Sequence, residues 1–530
     1  MKTKLIAVIS FLMCSAIAFS QDGFDALTYS QYPLKGTARY MSMGGAFTSL
    51  GGDASSITLN PAGIGVYRSS EVTATLNLQN NVTSSLWNNQ TGSDNNFTGH
   101  FNNVSFVSAF GTRNPNFSSA FGFSYERIKS FNRSGIMNGA SQFSSITDYM
   151  AGYTDGIQES DLSTANSNDP YGRTNNGTYN PWISVLGYQA YLINPNTSSS
   201  TPNQWNSILG TTPSGGPELV TPQYAFTENG YVDQYNLSYG VNIKSILYLG
   251  ASVGFQDLSY SLSTNYLESF GNGGSMNLQN QIYTSGSGFD VKVGAIVRPT
   301  NFLRLGIAYH SPIFYSMTDN YYADINYNTG NHYTQTYQGT TFTPDAGGYS
   351  KYKLQTPSVI TVGASGIIGQ KAIISFDYEY ADYSTMKLRD DNNSAFAFNT
   401  ENQDINNMMQ GVSTYKIGGE YRITSDLAIR LGYNYITPAT KNNAVRNLPY
   451  NTVRTDPQYF LQGNTQNYAA GIGYHYKNWS FDAAYVLMNQ KESFYPYNDQ
   501  WLYTNLADRV NPAAVTSKTN NFVLTVGFRF

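Results

Sequence analysis

Phe522-Val523-Leu524-Thr525-Val526-Gly527-Phe528-Arg529-Phe530 closes the chain, and its alternation decides the fold. Phe522, Leu524, Val526, Phe528 and Phe530 share one face, while Thr525, Gly527 and Arg529 lie on the other. An apolar face backed by small and polar residues marks a strand with lipid on one side and a wet lumen on the other. The same period of two recurs in Tyr235-Leu237-Tyr239-Val241-Ile243, Leu247-Leu249-Ala251-Val253-Phe255 and Phe289-Val291-Val293-Ala295-Val297. It returns in Ile374-Phe376-Tyr378-Tyr380, Leu427-Ile429-Leu431-Tyr433-Tyr435 and Tyr468-Ala470-Ile472-Tyr474-Tyr476. With weaker segments near 70–80, 103–111, 117–127, 302–310, 358–367, 414–422 and 479–488, about fourteen strands are expected. The expected fold is all-β: a transmembrane antiparallel β-barrel.

The connections follow a matching rhythm. Arg113-Asn114-Pro115-Asn116, Lys244-Ser245, Arg298-Pro299-Thr300-Asn301, Gly369-Gln370, Thr424-Ser425-Asp426 and Lys477-Asn478 read as tight turns. Between them come long polar stretches near 81–102, 128–231, 261–281, 316–355, 384–411, 437–466 and 489–520. Short periplasmic turns alternating with long outer loops is barrel topology, with an even strand number and both chain ends of the wall in the periplasm. The stretch 128–231 is the largest, and Pro181-Trp182-Ile183-Ser184-Val185-Leu186 within it predicts a short helix over the barrel mouth.

Composition agrees. Only 12% of the 530 residues are charged, against roughly 25% in soluble proteins. Mean hydropathy is nevertheless −0.36, because the polarity comes from Asn, Ser, Thr, Gln and 44 Tyr. Net charge is −4 with no basic cluster, so nucleic acid is excluded as a partner. Met1-Lys2-Thr3-Lys4, an apolar run to Phe19, and Ala18-Phe19-Ser20 before Gln21 predict a signal peptide over 1–20. Cys14 is the single cysteine and lies inside that leader, which excludes disulfides, thiol catalysis and Cys-based zinc sites in the mature chain. Without Lys2 and Lys4, 28 basic residues remain against 34 acidic ones, a balance of −6. Beyond the leader no apolar run is long enough for a transmembrane helix. The expected location is the outer membrane, as a multi-pass β-barrel.

Residues 21–68 do not alternate like the wall. Gly44-Gly45, Gly51-Gly52 and Asn60-Pro61-Ala62-Gly63 build a small-residue segment suited to tight turns in a narrow lumen. No Gly-Lys-Ser/Thr follows the glycine pairs, so a phosphate cradle is not indicated. The domain plan is therefore a hatch over 21–68 plugging a barrel over 69–530.

The stretch Gly44–Gly63 resembles the N-terminal hatch of the FadL/TodX family of outer-membrane transporters for long-chain fatty acids and other hydrophobic compounds. Thr356-Pro357-Ser358-Val359-Ile360-Thr361-Val362-Gly363, Ser375–Tyr380, Gly418–Arg422 and Ala428–Tyr433 look like strand segments of the same family. The terminal Phe530 resembles the signal read by the barrel-insertion machinery. The resemblance implies passive transport of a fatty-acid-like hydrophobic ligand through a hatch-gated barrel, with a lateral exit at a kink in the third strand. It implies Asn60, Pro61, Ala62 and Gly63 as gate. Gly122, in the third strand, is the expected point of opening. It also implies outer-membrane lipid and lipopolysaccharide as surroundings, and no cofactor.

Parity turns Asp290, Lys292, Asp377, Glu379, Lys416, Glu420, Arg422, Arg430 and Arg529 into the lumen. Lys292, Arg422 and Arg430 are candidate contacts for an anionic head group, unless such charges only build internal ion pairs. His100, His310, His332 and His475 show no spacing that assembles a hydrolytic or metal site, so no enzyme is expected. Two functions compete with transport of a hydrophobic compound. One is a scaffold or shuttle subunit bound to other outer-membrane proteins in a secretion or assembly complex. The other is a polar-solute pore, disfavoured by the hatch.

Overall fold

The computed structural model describes residues 21–111, 116–164, 169–172, 180–199, 201–209, 218–344, 348–369, 371–449, 452–503 and 509–530. The expected leader with Cys14, and Arg113, Asn114, Pro115 and Gln370 of two expected turns, lie outside the described residues.

Fourteen antiparallel strands form a closed wall. The first six are Glu71–Trp87, Gln90–Gly111, Phe117–Ser130 (resuming as Arg133–Asn138), Val220–Ile243, Leu247–Phe270 and Ser275–Val297. The seventh, eighth and ninth are each broken once: Leu303–His310 with Phe314–Asn328, Gly348–Gln355 with Val359–Ile368, and Ala372–Asp382 with Lys387–Asp390. Then come Gly411–Arg422, Leu427–Ile436, Tyr459–Tyr476, Trp479–Tyr495 and Ala513–Arg529. The last pairs with the first from Glu71↔Arg529 to Leu86↔Ala514, which closes the ring. Alternation holds as expected: Phe522 and Leu524 are 53% and 51% exposed, whereas Val523 between them is fully buried.

The long outer stretches are partly wall. Residues 81–102 form no loop: the first two strands run on to a hairpin whose turn, Asn88-Asn89, takes positive φ at both residues. Likewise 261–281 is mostly strand, interrupted only between Phe270 and Ser275. The connection expected over 128–231 shrinks to the residues between Asn138 and Val220. A strand of 24 residues spans on the order of 80 Å along its axis, far more than a tilted crossing of an apolar band of about 25 Å requires. Beyond the membrane the outer wall face is wet, and much of the inner face packs against the outer connections. The apolar alternation fades there while the hydrogen-bonded ladder continues.

Over the mouth, helices Ile146–Thr154 and Trp182–Gln189 share a buried cluster with Trp87, Tyr224, Tyr266, Phe494 and Tyr497. The helix predicted around Trp182 is therefore part of a cap.

The segment from Gln21 to Tyr67 fills the lumen. Its first helix, Gly23–Ser30, is fixed by a capping box: the Asp22 carboxylate accepts from the backbone N–H of Phe24 and Asp25, and that of Asp25 accepts from Asp22 N–H. Ala26 and Leu27 on this helix are buried among wall residues Tyr352 and Leu354 and outer-loop Ile405. Helix Ala38–Ser42 starts at Thr37, whose hydroxyl accepts from Tyr40 N–H. The paired glycines then reverse the chain, Gly44 and Gly45 at φ +63° and +79°, Gly51 and Gly52 at +64° and +68°.

Candidate functional site

Between the first helix and the lower limbs of the hatch lies a cavity of about 470 Å³. Leu34, Lys35, Tyr40, Thr58 and Leu59 form its floor, and Phe24, Leu27, Thr28 and Tyr32 face it from above. Its sides combine Ile128, Phe131, Tyr224, Phe226 and Leu262 with charged groups. The arrangement is amphipathic: a greasy lining with charges at defined places.

Most charges are paired. Lys292 meets Asp290 at 3.1 Å, and Lys416 meets Glu379 at 2.7 Å. Arg430 holds Glu420 and Asp482 at 2.7 and 2.6 Å, and Arg39 of the hatch reaches the same Glu420 at 2.9 Å. Nearer the outer mouth, Arg446 and Arg454 form a buried cluster with Asp22, Asp25 and Asp456. This ties the front of the hatch to the connection between the eleventh and twelfth strands. Three carboxylates face two guanidinium groups there, and burial pushes Asp25 up to about 7 against the opposing pull of Arg454.

Lys35 differs. Its ammonium donates to Gln79 Oε1 at 2.8 Å and lies 3.4 Å from His100 Nε2, and no ion pair to it occurs among the described residues. Burial, reinforced by the Arg127 guanidinium, pulls it down to about 7. Lys129, also on the cavity, donates to the Thr28 carbonyl at 2.5 Å.

Both lysines border an irregular part of the wall. The second and third strands pair from Gly111↔Ser118 to Asn103↔Glu126, where their ladder stops. The third strand then slips register on the fourth between Arg127 and Lys129. It bends at Phe131 and Asn132 and resumes as Arg133–Asn138, whose ladder is with the fourth strand only, from Arg133↔Glu228 to Asn138↔Gln223. Ser85 donates to Ile136 O, and Asn138 donates to Thr91 O, which ties this piece to the first two strands. The cavity reaches this bend through Ile128, Lys129, Ser130, Phe131, Asn132 and Arg133.

The residues singled out from sequence occupy three different places. Asn60, Pro61, Ala62 and Gly63 lie under the cavity against the wall. Asn60 donates to Thr48 O at 2.7 Å and caps the short helix Pro61–Val66 by accepting from Ala62 N–H at 3.1 Å. Gly63 O accepts from Gly52 N–H at 3.1 Å, locking the two limbs together. Wall glycines let the hatch come this close. Gly240, Gly250 and Gly294 are neighbours across three strands, as are Gly306 with Gly363 and Gly418 with Gly432. A Cβ on Gly250 would stand 2.3 Å from the Pro61 carbonyl, and one on Gly432 would stand 2.1 Å from Gly44 N.

Gly122 sits in an unbroken ladder, paired to Val107 and Ser238. Its missing side chain makes room for Ile64 and Ile57 of the hatch, 3.0 and 3.2 Å from where a Cβ would be. The strand's irregularity falls several residues further on. Lys292 lines the cavity, already engaged by Asp290. Arg430 is engaged on the periplasmic side of the hatch, and Arg422 is exposed at the periplasmic rim, its N–H bonded to Lys371 O. Lys35 escaped the sequence reading, because parity ranks wall residues and says nothing of a lysine on the plug.

These features define a class: an outer-membrane β-barrel whose own N-terminal segment fills the lumen beneath a ligand-sized cavity. Residues 232–530, more than half of the chain, match the family model described as outer membrane protein transport protein (OMPP1/FadL/TodX), and the chain belongs to that family. A FadL homologue from Pseudomonas aeruginosa superposes with a TM-score of 0.52 at 13% identity, covering 94% of this chain and 100% of that one. The toluene transporter TodX from Pseudomonas putida gives a TM-score of 0.47 at 12% identity, covering 94% and 99%. Among curated protein sequences none matches.

Proposed function

We propose that this barrel is a passive conduit for a hydrophobic compound with an anionic head, such as a long-chain fatty acid, and releases it sideways into the membrane. The observation that carries this reading is the Lys35 ammonium. It faces the cavity without a carboxylate partner among the described residues, beside the place where the second and third strands part. A ligand carboxylate between Lys35 and Lys129 makes charge-assisted hydrogen bonds. Its tail lies along Leu34, Ile128, Phe131 and Phe226. Asn60, Pro61, Ala62 and Gly63 act as the closing element that bars the periplasmic end, so the outlet is the bend at 126–132.

Transfer needs no coupled energy source. Each methylene moved into hydrocarbon contributes about 0.8 kcal/mol, so a chain of about fifteen carbons drives its own partition by on the order of 10 kcal/mol. The barrier is the polar leaflet surface, which the wet outer wall and the cap traverse.

The test is uptake of a radiolabelled long-chain fatty acid by outer-membrane vesicles with and without the protein. Faster uptake in its presence, with no change for a sugar of similar mass, supports the proposal. Equal uptake in both vesicle sets refutes it.

A further inference from the structure

The lipid-facing wall carries a feature that transport does not use. On strands five to nine the register aligns Phe255, Phe289, Phe314, Gln355 and Lys387 in one row. The next row outward reads Asp257, Ser287, Ser316, Lys353 and Arg389, and the one beyond it Ser259, Ser285, Thr318 and Lys351. Below the phenylalanines the same face is apolar, with Val253, Val291, Tyr309, Ile360 and Tyr380 exposed. The aromatic row therefore marks where hydrocarbon ends and the polar part of the outer leaflet begins.

Four cations sit at and above that boundary: Lys387 level with the phenylalanines, Lys353 and Arg389 one row further out, and Lys351 two rows further out. They project outward, because Tyr352, Leu354 and Leu388 between them are buried on the lumen side. No ion pair to any of the four occurs among the described residues, although the Tyr349 side chain engages Lys351 and the Asp391 carboxylate acts on it. Lys353 and Arg389 are direct cross-strand partners; Lys351 lies two residues outward of Lys353, and Lys387 two residues toward the membrane from Arg389. The quartet thus spans about 5 by 14 Å, with the Lys353–Arg389 pair at its centre. Beside it runs a groove of about 740 Å³ lined by Phe255, Phe289 and Phe314 on one side and Lys353, Arg389 and Asn393 on the other.

We infer that this groove binds a phosphorylated glycolipid of the outer leaflet. Its sugar phosphates lie on the Lys353–Arg389 pair, its sugar hydroxyls on the serine and threonine rows, and its acyl chains over the phenylalanines. Charge complementarity supplies the argument: a phosphate monoester carries about −1.5 to −2 charges and accepts from several donors, which suits a cationic quartet. A glycerophospholipid diester offers one charge and no sugar for the hydroxyl rows. The inference rests on the outer-membrane placement of the barrel and is independent of what the lumen carries.

The experiment extracts the native protein and the K351Q/K353Q/K387Q/R389Q variant from outer membranes in mild detergent and measures phosphorylated glycolipid per barrel by mass spectrometry. Native protein retains about one molecule, and the quadruple variant retains at least about fivefold less. K491Q/K518Q, which changes outward lysines on the thirteenth and fourteenth strands, retains the native amount. Equal retention by the quadruple variant overturns the proposal, as does an equal loss from K491Q/K518Q. Displacement of the glycolipid by phosphatidylglycerol or inorganic phosphate at matched concentration also overturns it. If the quadruple variant fails to insert, Lys353→Gln and Arg389→Gln are read singly. Each then lowers the bound glycolipid about twofold, and no change in either overturns the proposal.

Discussion

A Cβ added to Gly294 of the wall would stand 1.9 Å from Asn60 Oδ1 of the hatch. That oxygen already accepts the Ala62 N–H, so the hatch is seated on bare wall backbone at the point where its own short helix begins. Wall glycines are the price of a plug whose backbone lies flush with the barrel. Bulk at these positions should unseat the hatch and spare the barrel.

For Gly250→Val and Gly432→Val the clash is with hatch backbone, at 2.3 and 2.1 Å, and cannot be relieved by rotating a side chain. Each is expected to destabilise the seated hatch by about 1–3 kcal/mol. Single-channel recording in planar bilayers checks this: both variants show larger or more frequent openings than native protein, with the heat-dependent gel shift of an intact barrel retained.

Lys35→Gln removes the ammonium proposed to hold the ligand head. A charge-assisted bond contributes about 1.5–3 kcal/mol, so affinity for a long-chain carboxylate falls about 10- to 100-fold. Affinity for the matching alcohol stays nearly unchanged. Calorimetry in detergent measures both.

The pH dependence follows from the same group. Lys35 is held down to about 7, so it carries its charge below that pH and loses it above. A ligand carboxylate is ionised above about 4 to 5. Binding is therefore tightest between those limits and weakens as pH rises through 7. In Lys35→Gln the weakening through 7 is smaller than in native protein.

Deleting Ile128 removes the residue across which the third strand slips register on the fourth. Straightening the strand extends its ladder toward the second strand and shuts the bend. Uptake of a labelled fatty acid is expected to fall at least about tenfold. Binding in the cavity weakens only by the lost Ile128 contact, and a centrifugal binding assay separates the two effects.

Asp25 supplies a stability test. Its folded value is raised to about 7 from an ordinary value near 3.8, so the folded state holds a proton that the unfolded chain releases earlier. The stability this group contributes is complete below about 4 and is lost as pH rises through about 7. Asp25→Asn therefore raises Tm relative to native protein at pH 8 and gives no gain at pH 4, read from the temperature of the heat-dependent gel shift.

The wall was legible wherever one face met lipid. Phe522 to Phe530 or Tyr235 to Ile243 need only their own period of two. Where strands leave the membrane, as at Gln90 to Phe101, both faces are polar and the period no longer reports the ladder. Parity gave the side of each wall charge but not its height. Arg422 and Lys416 share a strand face, yet Lys416 lines the cavity and Arg422 lies at the periplasmic rim. The bend around Ile128 carries no glycine or proline, since its cause is tertiary: the outer half of the strand keeps its ladder with the fourth strand and loses the one with the second. Gly122 drew attention as a breaker, whereas in the structure it clears space for Ile57 and Ile64. The tight turns of the hatch were readable from its paired glycines, and its capped helices were not read. Lys35 was not legible, because its lack of a counter-ion depends on groups brought near from distant strands.

Photolabelling with a diazirine-bearing fatty acid in native outer membranes tests the central claim most directly. Adducts on Leu34, Ile128, Phe131 or Phe226, suppressed by excess unlabelled fatty acid, are the predicted result. Adducts confined to the outer cap or to the lipid-facing wall, with none in the cavity, would contradict it.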